Sequence, residues 1–228
     1  MKKISKTLSV LFTALIVSLS TSAYSFEGFS VGASYSSMDF STTGTEVASG
    51  VAGNGTLDKN TTTKSGSGDL GSFFAEYTFA QGTTIGMSFI DGSAELGTGS
   101  RVETGTTSGT VTQKAEVSDP MTFYVEPTFM MTDTFGVYVK GGATTVSVEP
   151  KETADAGAVV NSTYKSQDVW GITTGVGAKY YMGNFFAKAE YVETDYETYH
   201  HQSTTGNLNS VSADIDTEET IFAIGYNF

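Results

Sequence analysis

Six ionisable residues, Glu76, Glu126, Lys140, Lys179, Lys188 and Glu190, lie inside runs where apolar or aromatic side chains alternate with small or polar ones. Three acids matched by three bases is a set that an interior poor in water can hold, because a buried charge needs a hydrogen-bonded partner of opposite sign. Two chemistries are open to it. The set can form a fixed network of ion pairs that fills a lumen, or a gate that admits ions and small polar solutes when the network rearranges. A second constellation is His201-x-Ser203, within Tyr199-His200-His201-Gln202-Ser203, which supplies the types needed for a base and a hydroxyl nucleophile. Such a dyad also requires an acid and an oxyanion donor, and the sequence offers candidates only for the acid. His200 and His201 beside Glu197, and the run Asp214-x-Asp216-x-Glu218, carry metal-type donors without a recognised ligand spacing. No metal, cofactor or catalytic residue is therefore expected, and His201 with Ser203 stands as the alternative.

The elements that carry these residues read as strands. In the last segment Thr220, Phe222, Ile224, Tyr226 and Phe228 share one face, while Ala223, Gly225 and Asn227 lie on the other with Ile221. Period-two alternation of this kind suits a strand with lipid on one side and a filled lumen on the other. The same template predicts strands over about 28–40, 70–80, 83–96, 119–131, 134–148, 168–182 and 185–196, with the C-terminal segment as the eighth. Tight turns are expected at Gln81-Gly82, Thr132-Asp133 and Gly183-Asn184. Between them the stretches 41–68, 97–118, 149–167 and 197–216 are rich in Thr, Ser, Gly and Asp and read as long loops. Short and long connections in alternation predict an all-β, transmembrane, antiparallel up-and-down β-barrel. Eight strands are expected, with ten as the rival because 110–117 could lengthen a hairpin or add a strand pair.

On this register Tyr77, Phe79, Phe129, Phe135, Tyr180, Phe185, Tyr226 and Phe228 form an aromatic girdle beside the short turns, and Phe40 and Trp170 belong to the opposite interface. Pro127 falls inside the fourth strand with outward parity. Its missing N–H predicts a bulge or a break in the ladder. Inward glycines such as Gly171, Gly175 and Gly177 make room for larger residues from neighbouring strands.

Residues 1–25 read as a secretory signal peptide, with Lys2, Lys3 and Lys6 before an apolar stretch from Leu8 to Leu19. Cleavage is expected after Ser25, with Ala23 as the alternative, which leaves 26–228 as one barrel domain. The 228-residue chain has a formal net charge of −13, and loss of those three lysines makes it more acidic. That balance argues against nucleic acid as a partner. The absence of cysteine in an exported chain leaves stability to the hydrogen-bonded sheet. Composition by itself would suggest a soluble protein, at 39% hydrophobic residues and a mean hydropathy of −0.10. A barrel hides its membrane signal in alternation.

Through the signal peptide, the alternating segments and the terminal Ile224-Gly225-Tyr226-Asn227-Phe228, the chain resembles the OmpA/OmpX-type family of small eight-stranded outer-membrane barrels, here without a peptidoglycan-binding domain. The resemblance implies a bacterial outer-membrane location, with periplasmic termini and extracellular loops. It also implies a monomer in contact with outer-membrane lipid and lipopolysaccharide. Phe222, Ile224, Tyr226 and Phe228 would be the signal read by the barrel assembly machinery. The expected role is non-enzymatic: membrane integrity, or adhesion and contact with a ligand, host or phage surface through the loops. The alternatives are a narrow porin-like channel and a lipid A-modifying hydrolase using His201 and Ser203.

Overall fold

The computed structural model describes residues 26–51, 57–90, 92–103, 109–154, 164–204 and 209–228; the N-terminal segment read as a signal peptide lies outside them. Ten β segments follow one another: β1 (Gly28–Val51), β2 (Leu57–Thr78), β3 (Thr83–Phe89), β4 (Ser93–Glu103), β5 (Gly109–Met130), β6 (Phe135–Ala154), β7 (Gln167–Met182), β8 (Phe185–Tyr196), β9 (Tyr199–Gln202) and β10 (Ser210–Asn227). All pair antiparallel, and a ladder from Ser30 opposite Asn227 to Val47 opposite Ser210 joins β1 to β10 and closes the ring. The ten segments make eight staves. β3 and β4 pair successive parts of β5, and β8 and β9 pair successive parts of β10, so each couple is one stave interrupted once.

Alternation drives this closure. Phe73, Phe129, Phe185, Phe222 and Ile224 are 60–70% exposed, which no water-soluble sheet would tolerate as a belt. Phe74, Tyr124, Tyr138 and Phe186, at the opposite parity, are buried in the lumen.

The structure corrects the sequence reading in five places. The stretches read as loops are largely strand: β1 and β2 stay in register from Gly28 opposite Thr78 to Val47 opposite Lys59. The inner face of this extension borders an open cavity and its outer face is polar, so it needs no apolar period. Threonine pairs across the strands serve instead, Thr43 with Thr63 and Thr45 with Thr61, each with hydroxyl oxygens 3.0 Å apart. Residues 110–117 lengthen a hairpin and add no stave.

The second correction concerns Phe40, which faces inward with Ser36 and Thr42 instead of toward the outer interface. Its ring lies over Gly66, where an added Cβ would come within 2.5 Å of it. Third, Pro127 does interrupt the β5–β6 ladder, which skips from Val125 to Thr128 without changing register, but Pro127 is itself buried. The register shift falls instead between Ser118 and Met121, where Asp119 has φ of +52° ahead of Pro120. Asp tolerates that left-handed conformation better than most residues, and the bulge faces the break between β3 and β4.

Fourth, the first two turns span four residues between strand ends, 79–82 and 131–134, while Gly183-Asn184 is the two-residue turn expected. Last, parity reverses after Tyr196. Glu193 and Asp195 point out, yet Tyr199 is buried and Ser203 is 3% exposed.

Closure is complete only in the membrane part of the ring. Beyond Phe73 and Phe89, β2 pairs only with β1 and β4 only with β5, so no backbone ladder joins those two among the described residues. The free edge of β2 carries Lys59, Thr61, Thr63 and Lys64, polar and charged residues of the kind that discourage pairing with another chain.

Candidate functional site: a layered lumen

Five of the eight staves supply the six charges expected inside. Glu76 comes from β2, Glu126 from β5, Lys140 from β6, Lys179 from β7, and Lys188 with Glu190 from β8. All six are buried, at 0–6% exposure. Lys188 is the hub. Its ammonium lies 2.6 Å from Glu76 Oε1, 2.8 Å from Glu126 Oε1 and 2.8 Å from Glu190 Oε1. Lys179 reaches Glu76 at 3.2 Å and Glu126 at 3.8 Å, and Lys140 reaches Glu126 at 3.2 Å and also pairs with Glu190. Every lysine therefore touches two or three carboxylates, and the formal charges cancel. Breaking one buried pair by removing a partner typically costs ~3–5 kcal/mol, because the remaining charge is stranded.

Two tyrosines complete the network, and neither was singled out from the sequence. Tyr124 donates to Glu76 Oε1 at 2.9 Å and Tyr138 donates to Glu190 Oε1 at 2.7 Å. Both occupy inward positions of the same alternation that located the lysines, so parity could have found them. Each ring is seated over a glycine. An added Cβ would come within 2.6 Å of Tyr124 at Gly86 and within 2.4 Å of Tyr138 at Gly177. The inward glycines thus do what the sequence suggested.

The charged layer is enclosed along the barrel axis. On the short-turn side Phe74, Tyr181, Phe186 and Ala223 form an apolar layer, joined by Met130 and by Phe26, whose ring stacks on Tyr181 at 3.8 Å between centroids. On the other side comes a belt of hydroxyls, Thr122, Thr144, Thr173 and Thr194, linked at 2.8, 2.5 and 3.0 Å. Beyond it Leu96, Val146, Val148, Val169, Tyr199 and Ile215 make a second apolar layer, against which Phe40 packs. No full water path is needed to satisfy these polar groups. They satisfy one another.

Outside that second layer the lumen opens into a cavity of about 230 Å³, bordered by Thr42, Lys64, Leu96, Val148, Tyr199 and Ala213 among others. The Tyr199 hydroxyl donates to the carbonyl of Lys165 at 2.9 Å, and burial pushes its pKa up to about 12. On the rim Lys151 pairs with Glu116 at 2.7 Å and Glu149 at 3.2 Å, and Lys114 with Glu95 at 2.9 Å. The hydrogen bond from Lys151 holds the Glu116 carboxyl below its ordinary range.

His201 and Ser203 are not where a lipid substrate would need them. The reversal of parity turns His201 toward the inside, with its Nε2 buried and without a partner among the described residues, and it buries Ser203. Asp214, Asp216 and Glu218 share the exposed face of β10, and among the described residues no group of three or more metal-type donors converges. At the C-terminus Phe222, Ile224 and Phe228 are 60–71% exposed, and Tyr226 packs edge-on against Phe185 and Phe228.

The model of the family described as outer membrane protein beta-barrel domain matches residues 8–228. No curated protein matches the chain. Among solved structures it is similar to the outer membrane protein OprG from Pseudomonas aeruginosa, at 17% identity, 89% of this chain, 96% of that one and a TM-score of 0.47. It is similar to Ail, the attachment invasion locus protein of Yersinia pestis, at 16% identity, 86% of this chain, 99% of that one and a TM-score of 0.38. The outer membrane protease OmpT from Escherichia coli is similar at 7% identity, 92% of this chain, 100% of that one and a TM-score of 0.47.

Proposed function

We propose that this chain, which belongs to the outer membrane protein beta-barrel domain family, is a plugged barrel whose work is done at its outer surface. It sits in the bacterial outer membrane, with its termini on the periplasmic side and its β-extensions on the outside. The observation that carries the proposal is the lumen. Three lysines and three glutamates neutralise one another between two apolar layers, an arrangement suited to sealing and stabilising a narrow barrel. The long outer strands then hold acidic, threonine-rich surface clear of the bilayer for contact with lipopolysaccharide or another cell. Catalysis plays no part in this role, and His201 with Ser203 faces inward, away from lipid.

A strain lacking the protein tests the role. It should show greater sensitivity to detergents, or weaker surface attachment, with unchanged uptake of small polar solutes. Slower uptake with normal detergent resistance would favour a narrow channel instead.

A further inference from the structure

The outer cavity is built unlike the rest of the lumen. Its floor is apolar, formed by Leu96, Val148, Ala213 and the ring of Tyr199. Ligand sites combine such a lining with a few well-placed polar groups. One of these is Thr42, only 7% exposed, which borders the cavity and whose buried Oγ1 has no hydrogen-bond partner among the described residues. Buried hydroxyls normally have one. The second is Lys64, directly across the strand pair from Thr42 and also on the cavity wall. Lys114 and Lys151 border the same space but are already held by Glu95, Glu116 and Glu149. Lys64 makes no ion pair among the described residues; of the two bordering carboxylates, Glu46 accepts a hydrogen bond from Asn209 at 2.9 Å, and Glu152 has one oxygen buried.

We propose that this cavity binds a small amphiphile, a single alkyl chain ending in a carboxylate, with the chain on the Leu96, Val148 and Ala213 floor and the carboxylate at Thr42 and Lys64. The volume of about 230 Å³ is below the ~300–1,000 Å³ typical of drug-sized sites, which fits one chain and excludes a two-chain lipid. The site goes beyond the structural role and stands whether or not the lumen conducts.

The test is equilibrium binding of labelled decanoate, with decanol as the uncharged comparison, to the protein purified in nanodiscs, with empty nanodiscs as background. Saturable binding above background is expected. Thr42→Val should weaken both probes by about fivefold, the worth of one neutral hydrogen bond. Lys64→Gln should weaken decanoate and leave decanol unchanged. Ala213→Phe, which fills the floor, should abolish both while heat-modifiable migration reports an intact barrel. Binding no greater than to empty nanodiscs, or saturable binding that Thr42→Val and Lys64→Gln leave untouched, would overturn the proposal.

Discussion

Replacing Lys188 by methionine keeps most of the unbranched stem of the side chain and removes the charge that touches all three carboxylates of the network. At 2.8 Å and an effective dielectric of ~20, each such contact carries a gross attraction of ~6 kcal/mol. Most of that is offset by desolvation, so truncating one member of the network is expected to cost ~3–5 kcal/mol. The charge count supplies the control. Lys188→Met leaves three carboxylates facing two ammoniums, whereas Lys188→Met with Glu126→Gln leaves two of each. The double variant should therefore be more stable than the sum of the single losses implies, by ~2 kcal/mol or more of coupling. Denaturant unfolding in lipid vesicles gives the values, and Trp170, the only tryptophan and 49% exposed on the lipid face, reports the transition. A loss below ~1 kcal/mol for Lys188→Met, or strict additivity in the double variant, would show that the six charges do not act as one network.

Three further outcomes follow from the same geometry. Gly177→Ala places a Cβ 2.4 Å from the Tyr138 ring, so the ring must shift and weaken its bond to Glu190; a loss of ~1–3 kcal/mol is expected, and wild-type stability would mean that Tyr138 is not held there. Thr43→Ala should speed amide exchange in the outer part of β1 and β2 without altering the membrane part, at a cost of ~0.2–1 kcal/mol; uniform exchange along the hairpin would contradict an independent threonine ladder. For the rim pair, hydrogen bonding holds Glu116 below its ordinary 4.5 and Lys151 above its ordinary 10.5. Its contribution is then present between those two values, lost below as Glu116 takes a proton and lost above as Lys151 releases one. Amide protection near Glu116 should exceed that of Lys151→Met at pH 7, by a margin that shrinks as the pH falls below 4.5, and a margin that stays constant on acidification would remove the ion pair as its cause.

What could be read from the sequence was what the membrane enforces. Lipid on one face and a crowded lumen on the other impose strict alternation, so Phe222, Ile224 and Phe228 were placed outside and Glu76, Lys140 and Lys188 inside. Beyond the bilayer that constraint lapses, and strands such as the outer half of β1 carry no apolar period to betray them. Register was the other blind spot. A single added residue at Asp119, or the interruption before Tyr199, moves every later side chain to the other face. That is why His201 and Ser203 were expected outside and lie inside. Phe40 erred for a different reason: its inward parity was visible, and an aromatic near an interface was given precedence over it.

In the proposed plug, the charged layer seals the barrel. Single-channel recording of the protein in a planar bilayer tests it most directly, beside the variant carrying both Lys140→Ala and Glu126→Ala. The network predicts a silent wild type with a heat-modifiable folded band, and openings only in the variant, whose paired truncation vacates adjoining side-chain positions in the layer. Discrete wild-type openings that the paired substitution alters would make the same six residues a gate and contradict the plug.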